Sequence, residues 1–223
     1  MSAAQWGIVA HVIVFGAWFG TDLATFALSR RVVNSSIEPS ARLVLASAMM
    51  SVEVVARLCL PCTLGTGVFI AQQLGWVSWP SWIGIAALIA AASWAGLVWT
   101  IHRSGEQAIG ARLTRIDLAI RSVICAGLWA IVVWSSATDN GPVRVNWLIL
   151  KVALFALVMT CGISIRFLLR PFSAAFGAIV ANGSTPEREI QLQRAIRTAQ
   201  PFVVVIWASL LTATLMGLVK IDI

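Results

Sequence analysis

The side chains that could bind a metal ion or a cofactor in this sequence are few, and they lie in apolar surroundings. The chain has two histidines and four cysteines. His11 begins the stretch HVIVFGAWFG (11–20), in which it is the only ionisable residue. Neutral imidazole is a common metal ligand, and thiolates prefer soft ions such as Cu(I). These residue types favour metal or haem binding, provided that the fold brings them together.

The composition around these residues is that of a membrane protein. Of the 223 residues, 59% are hydrophobic and 11% are charged, and the mean hydropathy is +0.89. A soluble domain carries about 25% charged residues, so we predict that a lipid bilayer surrounds this chain. The net charge of +7 is spread over short loops beside apolar runs. No nucleic-acid partner is therefore expected.

Six stretches are long enough to cross a bilayer, which takes about 20 mainly apolar residues. The N-terminus lacks the basic region of a signal peptide, so the first run is expected to remain as a span. The expected fold class is all-α, a polytopic integral membrane helical bundle of about six transmembrane helices, forming one domain over residues 1–223. The predicted spans are 6–27, 50–74, 79–101, 116–137, 146–168 and 200–220.

Basic residues in the connections orient the predicted bundle. Arginines are concentrated in the first, third and fifth connections, and the other two have almost none. Because cytoplasmic loops carry the excess of Lys and Arg, we expect a multi-pass protein of the bacterial inner membrane with both termini outside. Residues 184–200 are predicted to approach the last span as an amphipathic cytoplasmic helix that begins near Pro186.

Several ionisable residues lie within the predicted spans, where an unpaired charge is costly. Two acid–base pairs are spaced four residues apart, so each pair can meet on one helix face. Two interpretations remain open, the anchoring of helix ends and a charged gate or proton relay. The predicted ring of charge near the cytoplasmic interface consists of Asp22, Glu53 with Arg57, Asp117 with Arg121, and Arg166.

His11 and Lys151 are expected at similar depth, each a short way in from the outer end of its span. Neither needs a ligand, because a lysine near the interface can extend its amine to water and a histidine can bond a carbonyl. The alternative is that His11 binds a metal or haem. His102 is nearly a membrane thickness away and is expected to be interfacial.

The four cysteines, Cys59, Cys62, Cys125 and Cys161, all fall in the inner half of predicted spans. Disulfides of the secreted kind are therefore not expected. Cys59 and Cys62 flank Pro61, which is expected to kink the helix, and thiols three residues apart can share a helix face. A soft-metal site is one interpretation, and packing of cysteine as a small hydrophobic residue is the other.

Three segments carry a resemblance to known families: His11 with Trp18-Phe19-Gly20, Thr66-Gly67, and residues 147–171. They resemble two related bacterial membrane families, the copper-resistance protein D family and the haem-binding membrane protoporphyrinogen IX oxidase family. The first segment is similar to the opening of both families, and the other two are similar to the second helix and a leucine-rich helix of the copper family.

The two resemblances imply different ligands. The copper family implies transport of copper across the inner membrane, with His11 and the cysteines as successive ligands. The oxidase family implies haem b, held by a first-helix histidine and a later lysine, here His11 and Lys151. We favour copper transport, and we keep a haem-binding redox protein and a non-catalytic accessory subunit as alternatives.

No catalytic residue is predicted. The sequence has no nucleotide-binding loop, so a gradient, a bound cofactor or a membrane-complex partner would have to supply any driving force. Homo-oligomerisation is a further expectation. Glycines recur along the spans and favour a compact bundle, since small residues allow close helix packing.

Overall fold

The computed structural model describes residues 1–105 and 107–219, and helices joined by short connections make up nearly all of this part of the chain. Six helical stretches in it are long and apolar enough to cross a membrane, the fifth being α5 together with α6. The predicted all-helical bundle is therefore confirmed. The described helices are α1 (Ala3–Val32), α2 (Pro39–Gln73), α3 (Trp82–Ser104), α4 (Ala108–Ala137), α5 (Asn146–Leu168), α6 (Arg170–Asn182) and α7 (Pro186–Val219).

The helices extend beyond the predicted spans at one end of the bundle. Helix α2 begins at Pro39 instead of residue 50, and α4 begins at Ala108 instead of residue 116. These first turns carry arginines, which the span prediction excluded because lipid excludes charge. Helix α6 was not predicted as a separate element. Residue 220 of the last predicted span and the predicted outer position of the C-terminus lie outside the described residues.

The six long helices form a ring in which each packs against its neighbours in the order α1, α2, α3, α4, α5, α7, with α7 returning to α1. The backbones of α2 and α3 approach each other closely at Gly65, where an added Cβ would lie only 2.9 Å from the backbone oxygen of Ala87. Small residues at such contacts allow helix backbones to pack tightly in lipid. The central core takes side chains from all six helices, among them Trp18, Leu60, Trp94, Cys125, Met159 and Leu210.

A second core lies at the end of the bundle that carries the basic connections, which we call the basic face. It joins the end of α1 and the start of α2 to α6 and the first turns of α7. The predicted amphipathic helix is confirmed here. Helix α7 begins at Pro186, and its residues Leu192, Ala195 and Ile196 pack in this core. The Thr185 hydroxyl accepts from the backbone N–H of Arg188 and caps that start.

The two connections with little charge meet at the opposite end, which we call the loop face. The backbone N–H of Arg144 donates to the Trp76 carbonyl at 3.0 Å, and the N–H of Ser78 donates to Pro142 at the same distance. The rings of Trp76 and Trp147 pack edge to face beneath this pairing. The connections therefore alternate between two faces, as a bundle of six spans requires.

Candidate functional site

His11 lies on α1 against the loop-face half of α2. Its Nδ1 atom is 2.8 Å from the hydroxyl oxygen of Thr66. The next residue is Gly67, where an added Cβ would lie 3.4 Å from the His11 Cε1 atom, so the imidazole rests against this glycine. Thr66 and Gly67 together form a seat that fixes the position of the ring.

The hydrogen bonds of Thr66 define which nitrogen of His11 is free. The Thr66 hydroxyl lies 2.7 Å from the Cys62 carbonyl, and its one proton goes to that acceptor. Its oxygen must then accept from His11, which places the proton of the neutral ring on Nδ1 and leaves the lone pair on Nε2. The Thr63 carbonyl also lies beside the ring. Metal-binding histidines are held in this way, through the nitrogen that does not bind the metal.

Lys151 on α5 lies within electrostatic range of His11. Its Nζ atom rests against Gly217 of α7, where an added Cβ would lie only 2.7 Å away. Glycine at this position leaves room for the ammonium group between α5 and α7. The structure thus brings together the histidine and lysine that the sequence placed at one depth.

Cys59 and Cys62 continue from Thr66 along one stripe of α2. Residues at i, i+3 and i+7 share a helix face, and a rise of 1.5 Å per residue puts Cys62 about 6 Å and Cys59 about 10 Å from Thr66 along the axis. The two thiols lie near each other. Cys62 is half-buried and Cys59 is buried. The stripe therefore leads from the His11 seat into the bundle, towards the basic face.

The other two cysteines lie elsewhere in the central core. The Cys125 sulfur is 3.3 Å from the Thr160 hydroxyl and 3.7 Å from the Ala156 carbonyl, and Cys161 is buried beside Met159. Within residues 1–105 and 107–219, no three histidine, cysteine or acidic side chains lie close enough together to hold a metal. All four cysteines are free thiols, and Cys125 on α4 and Cys161 on α5 lie outside the stripe of Cys59 and Cys62 on α2.

Asp117 is the centre of a buried charge cluster that joins three helices. Its carboxylate is 1% exposed and lies 2.9 Å from Arg121 Nε on the same helix and 2.9 Å from Arg166 Nη2 on α5. The indole N–H of Trp94 on α3 donates to it at 2.8 Å. We call Asp117, Arg121, Arg166 and Trp94 the Asp117 cluster.

The remaining predicted charges extend this cluster across the bundle. Arg57 pairs with Glu53 at 2.6 Å and also lies within electrostatic range of Arg121. Asp22 interacts with Glu53 and accepts a hydrogen bond of 2.7 Å from the indole of Trp207. Charged groups from α1 to α5 therefore form one connected series.

Sequence reasoning missed three partners of these groups, Trp94, Trp207 and Thr66. Tryptophans in membrane proteins are commonly interfacial side chains, and a threonine in an apolar helix usually bonds its own backbone. The two tryptophans could have been expected from the carboxylates that they bond, because a carboxylate within a membrane span needs hydrogen-bond donors from neighbouring helices. His102 packs near the ring of Trp99 at the basic end of α3 and takes no part in either site.

The fold and these two sites define a multi-pass helical membrane protein with a seated histidine and a buried charge cluster. Comparison with family models, with curated proteins and with solved structures gives no match to the chain.

Proposed function

We propose that this protein transports copper across the bacterial inner membrane, with both termini on the outer side. Copper would bind first at His11 Nε2 and then pass to the thiols of Cys62 and Cys59. The observation that carries this proposal is the alignment of the His11 seat with the two cysteines on one stripe of α2. An imidazole near one face and two thiols deeper in the bundle form a graded series of ligands for Cu(I).

The small number of ligands at each level suits transport better than storage. A transported ion has to bind well enough to enter and weakly enough to leave. His11 supplies one nitrogen, and Cys59 and Cys62 supply two sulfurs on adjacent turns. The resemblance to the copper-resistance protein D family supports the same function, because its segments here include both His11 and the Thr66-Gly67 seat.

Haem b is the second candidate, and the free Nε2 of His11 is the observation that favours it. His11 would supply an axial ligand, and Lys151, which lies within electrostatic range of His11, would be the second contact that the oxidase resemblance implies. The haem would supply one-electron chemistry, whereas the chain would hold it and orient its ligand. The resemblance to the oxidase family supports this candidate through the same two residues.

A copper-binding measurement on the purified protein under reducing conditions tests the first candidate. We expect bound Cu(I) in the wild type, its loss in a Cys59→Ala/Cys62→Ala double variant, and its retention in the matched Cys125→Ala/Cys161→Ala variant. Copper uptake into proteoliposomes should follow the same pattern. Equal loss in both double variants would reduce the cysteines to packing residues and contradict the proposed route.

A visible spectrum with elemental analysis of the same preparation separates the candidates. A Soret band with iron that disappears in His11→Ala would replace copper transport by haem binding. Copper without that band would support transport. A colourless protein that takes up neither copper nor haem would contradict both and favour the accessory-subunit interpretation.

A further inference from the structure

The Asp117 cluster carries more positive charge than its own residues neutralise. One carboxylate is shared by two guanidinium groups, Arg121 and Arg166. Arg57 lies within electrostatic range of Arg121 and pairs with Glu53, and Asp22 lies beyond that pair, within range of Glu53. A buried positive charge without a counter-ion is costly in a membrane. The cluster is therefore suited to an additional anion.

Two hydrogen-bond donors of this cluster are left over. Arg121 Nη2 and Arg166 Nη1 are buried and have no hydrogen-bond partner among the described residues. Arg121 Nε and Arg166 Nη2 donate to Asp117, which holds both guanidinium groups in place. Buried donors without partners are rare in folded proteins, and guanidinium groups match the oxygens of a phosphate particularly well.

An apolar groove begins at the same cluster. It has a volume of about 610 Å³ and runs between α2, α3 and α4. Trp94 belongs to both features, because its indole N–H bonds Asp117 while its ring lines the groove. From Trp94 and Ile120 the groove continues towards the loop face past Ile124, Gly127 and Ile131. Apart from Ser93, the side chains along it are apolar, and Ile120 in this lining is the sequence neighbour of Arg121.

We propose that Arg121 and Arg166 bind the phosphate group of an anionic phospholipid whose acyl chain lies in this groove. The free donors would bond the phosphate oxygens, and the negative charge would complete the cluster. Basic sites between transmembrane helices bind anionic headgroups by this chemistry. The groove favours a lipid over inorganic phosphate, because inorganic phosphate has no acyl chain to occupy it. This proposal is independent of copper or haem binding.

Thermal unfolding of the delipidated full-length protein in a mild detergent tests the proposal. We expect phosphatidylglycerol to raise the unfolding temperature in a saturable way, and phosphatidylcholine to do so much less. Arg166→Gln should weaken the response to phosphatidylglycerol at least about tenfold, as expected for a lost charge-assisted hydrogen bond. Arg103→Gln removes a basic side chain from the end of α3, outside the cluster, and should leave the response unchanged.

Gly127→Leu tests the groove without touching either arginine. A Cβ at Gly127 would meet nothing within 4 Å, so the leucine fills the groove without displacing the fold. It should weaken phosphatidylglycerol binding, whereas Gly96→Leu, at an equally open position outside the groove, should not. Equal stabilisation by inorganic phosphate and by the lipid, unaffected by Gly127→Leu, would assign the site to a free anion. No preference for phosphatidylglycerol over phosphatidylcholine in the wild type would overturn the proposal.

Discussion

Trp207 on the last long helix donates a hydrogen bond of 2.7 Å to the carboxylate of Asp22 on the first, although 185 residues separate them in the sequence. Helices α1 and α7 otherwise pack only weakly against each other. The ring of Phe26 adds an edge-to-face contact with the same indole, with centroids 5.1 Å apart. This group of three side chains closes the ring of helices and gives a half-buried carboxylate its donor.

Trp207→Phe should destabilise the bundle by about 1.5–3 kcal/mol, because Asp22 loses a hydrogen bond in a place that water does not fully reach. The aromatic ring remains available to Phe26. Equilibrium unfolding in a mild detergent measures the loss. Trp99→Phe is the control, since Trp99 is 44% exposed on the outside of the bundle and should tolerate the change. Equal losses in the two variants would mean that the hydrogen bond to Asp22 contributes nothing specific.

Thr66→Val should weaken ligand binding at His11 about 10–100-fold, the usual effect of losing a side chain that orients a metal ligand. Valine keeps the shape of threonine but neither accepts from His11 Nδ1 nor bonds the Cys62 carbonyl. Thr66→Ser keeps the hydroxyl and should bind nearly as the wild type does. Titration with Cu(I), or with haem if the protein proves to bind it, provides the measurement.

Thr100→Val is the matched control for Thr66→Val. The Thr100 hydroxyl bonds only the carbonyl of Gly96 on its own exposed helix face. Its loss should leave the affinity unchanged. If Thr66→Val binds as tightly as Thr100→Val, the seat does not orient His11 for a ligand.

The sequence predicts the spans well because lipid leaves few alternatives to long apolar helices. It predicts the basic face poorly, and Arg42 shows why. This arginine was placed in a loop, yet it is 0% exposed and bonds Glu189, which is 147 residues away in the sequence. The Val32 carbonyl accepts from its Nε. Such a partner follows from how α1, α2 and α7 meet, and no local pattern contains that information.

In the candidate site, too, contacts within one helix follow from the sequence and contacts between helices do not. The pairs Glu53–Arg57 and Asp117–Arg121 form on one helix, so the spacing of four residues is enough to predict them. Contacts between helices, such as Trp94 with Asp117, also depend on the rotation of each helix about its axis. Depth alone placed Cys125 with the other cysteines, but its thiol faces Thr160.

Asp117→Asn should destabilise the protein by about 3–5 kcal/mol, because it leaves two mostly buried guanidinium groups, 11% and 27% exposed, without their common counter-ion. Glu53→Gln removes the acid of a pair whose side chains are 34% and 44% exposed, and should cost about 1 kcal/mol or less. Equilibrium unfolding of both variants under one set of conditions gives the comparison. Similar losses would show that the Asp117 cluster is no more important to stability than a surface ion pair.

The pair formed by Arg42 and Glu189 should make stability depend on pH in the acid range. Glu189 lies in the polar first turns of α7, outside the apolar part of that helix. Its carboxylate accepts two hydrogen bonds from Arg42, at 2.7 and 3.1 Å, and one from the Ser184 hydroxyl. Chiefly the bonds from Arg42 lower the pKa of Glu189 below its ordinary value of 4.5.

The direction of this pH dependence follows from proton uptake. The unfolded chain binds a proton at Glu189 at a higher pH than the folded protein does. The stabilisation is therefore complete above pH 4.5 and is lost as the pH falls from there through the lowered pKa. Glu189→Gln should unfold at a lower temperature at neutral pH and lose part of the acid dependence. Glu187→Gln, an exposed carboxylate two residues away, should change the profile less. An unchanged acid profile in Glu189→Gln would show that the buried pair does not control the acid stability of the basic face.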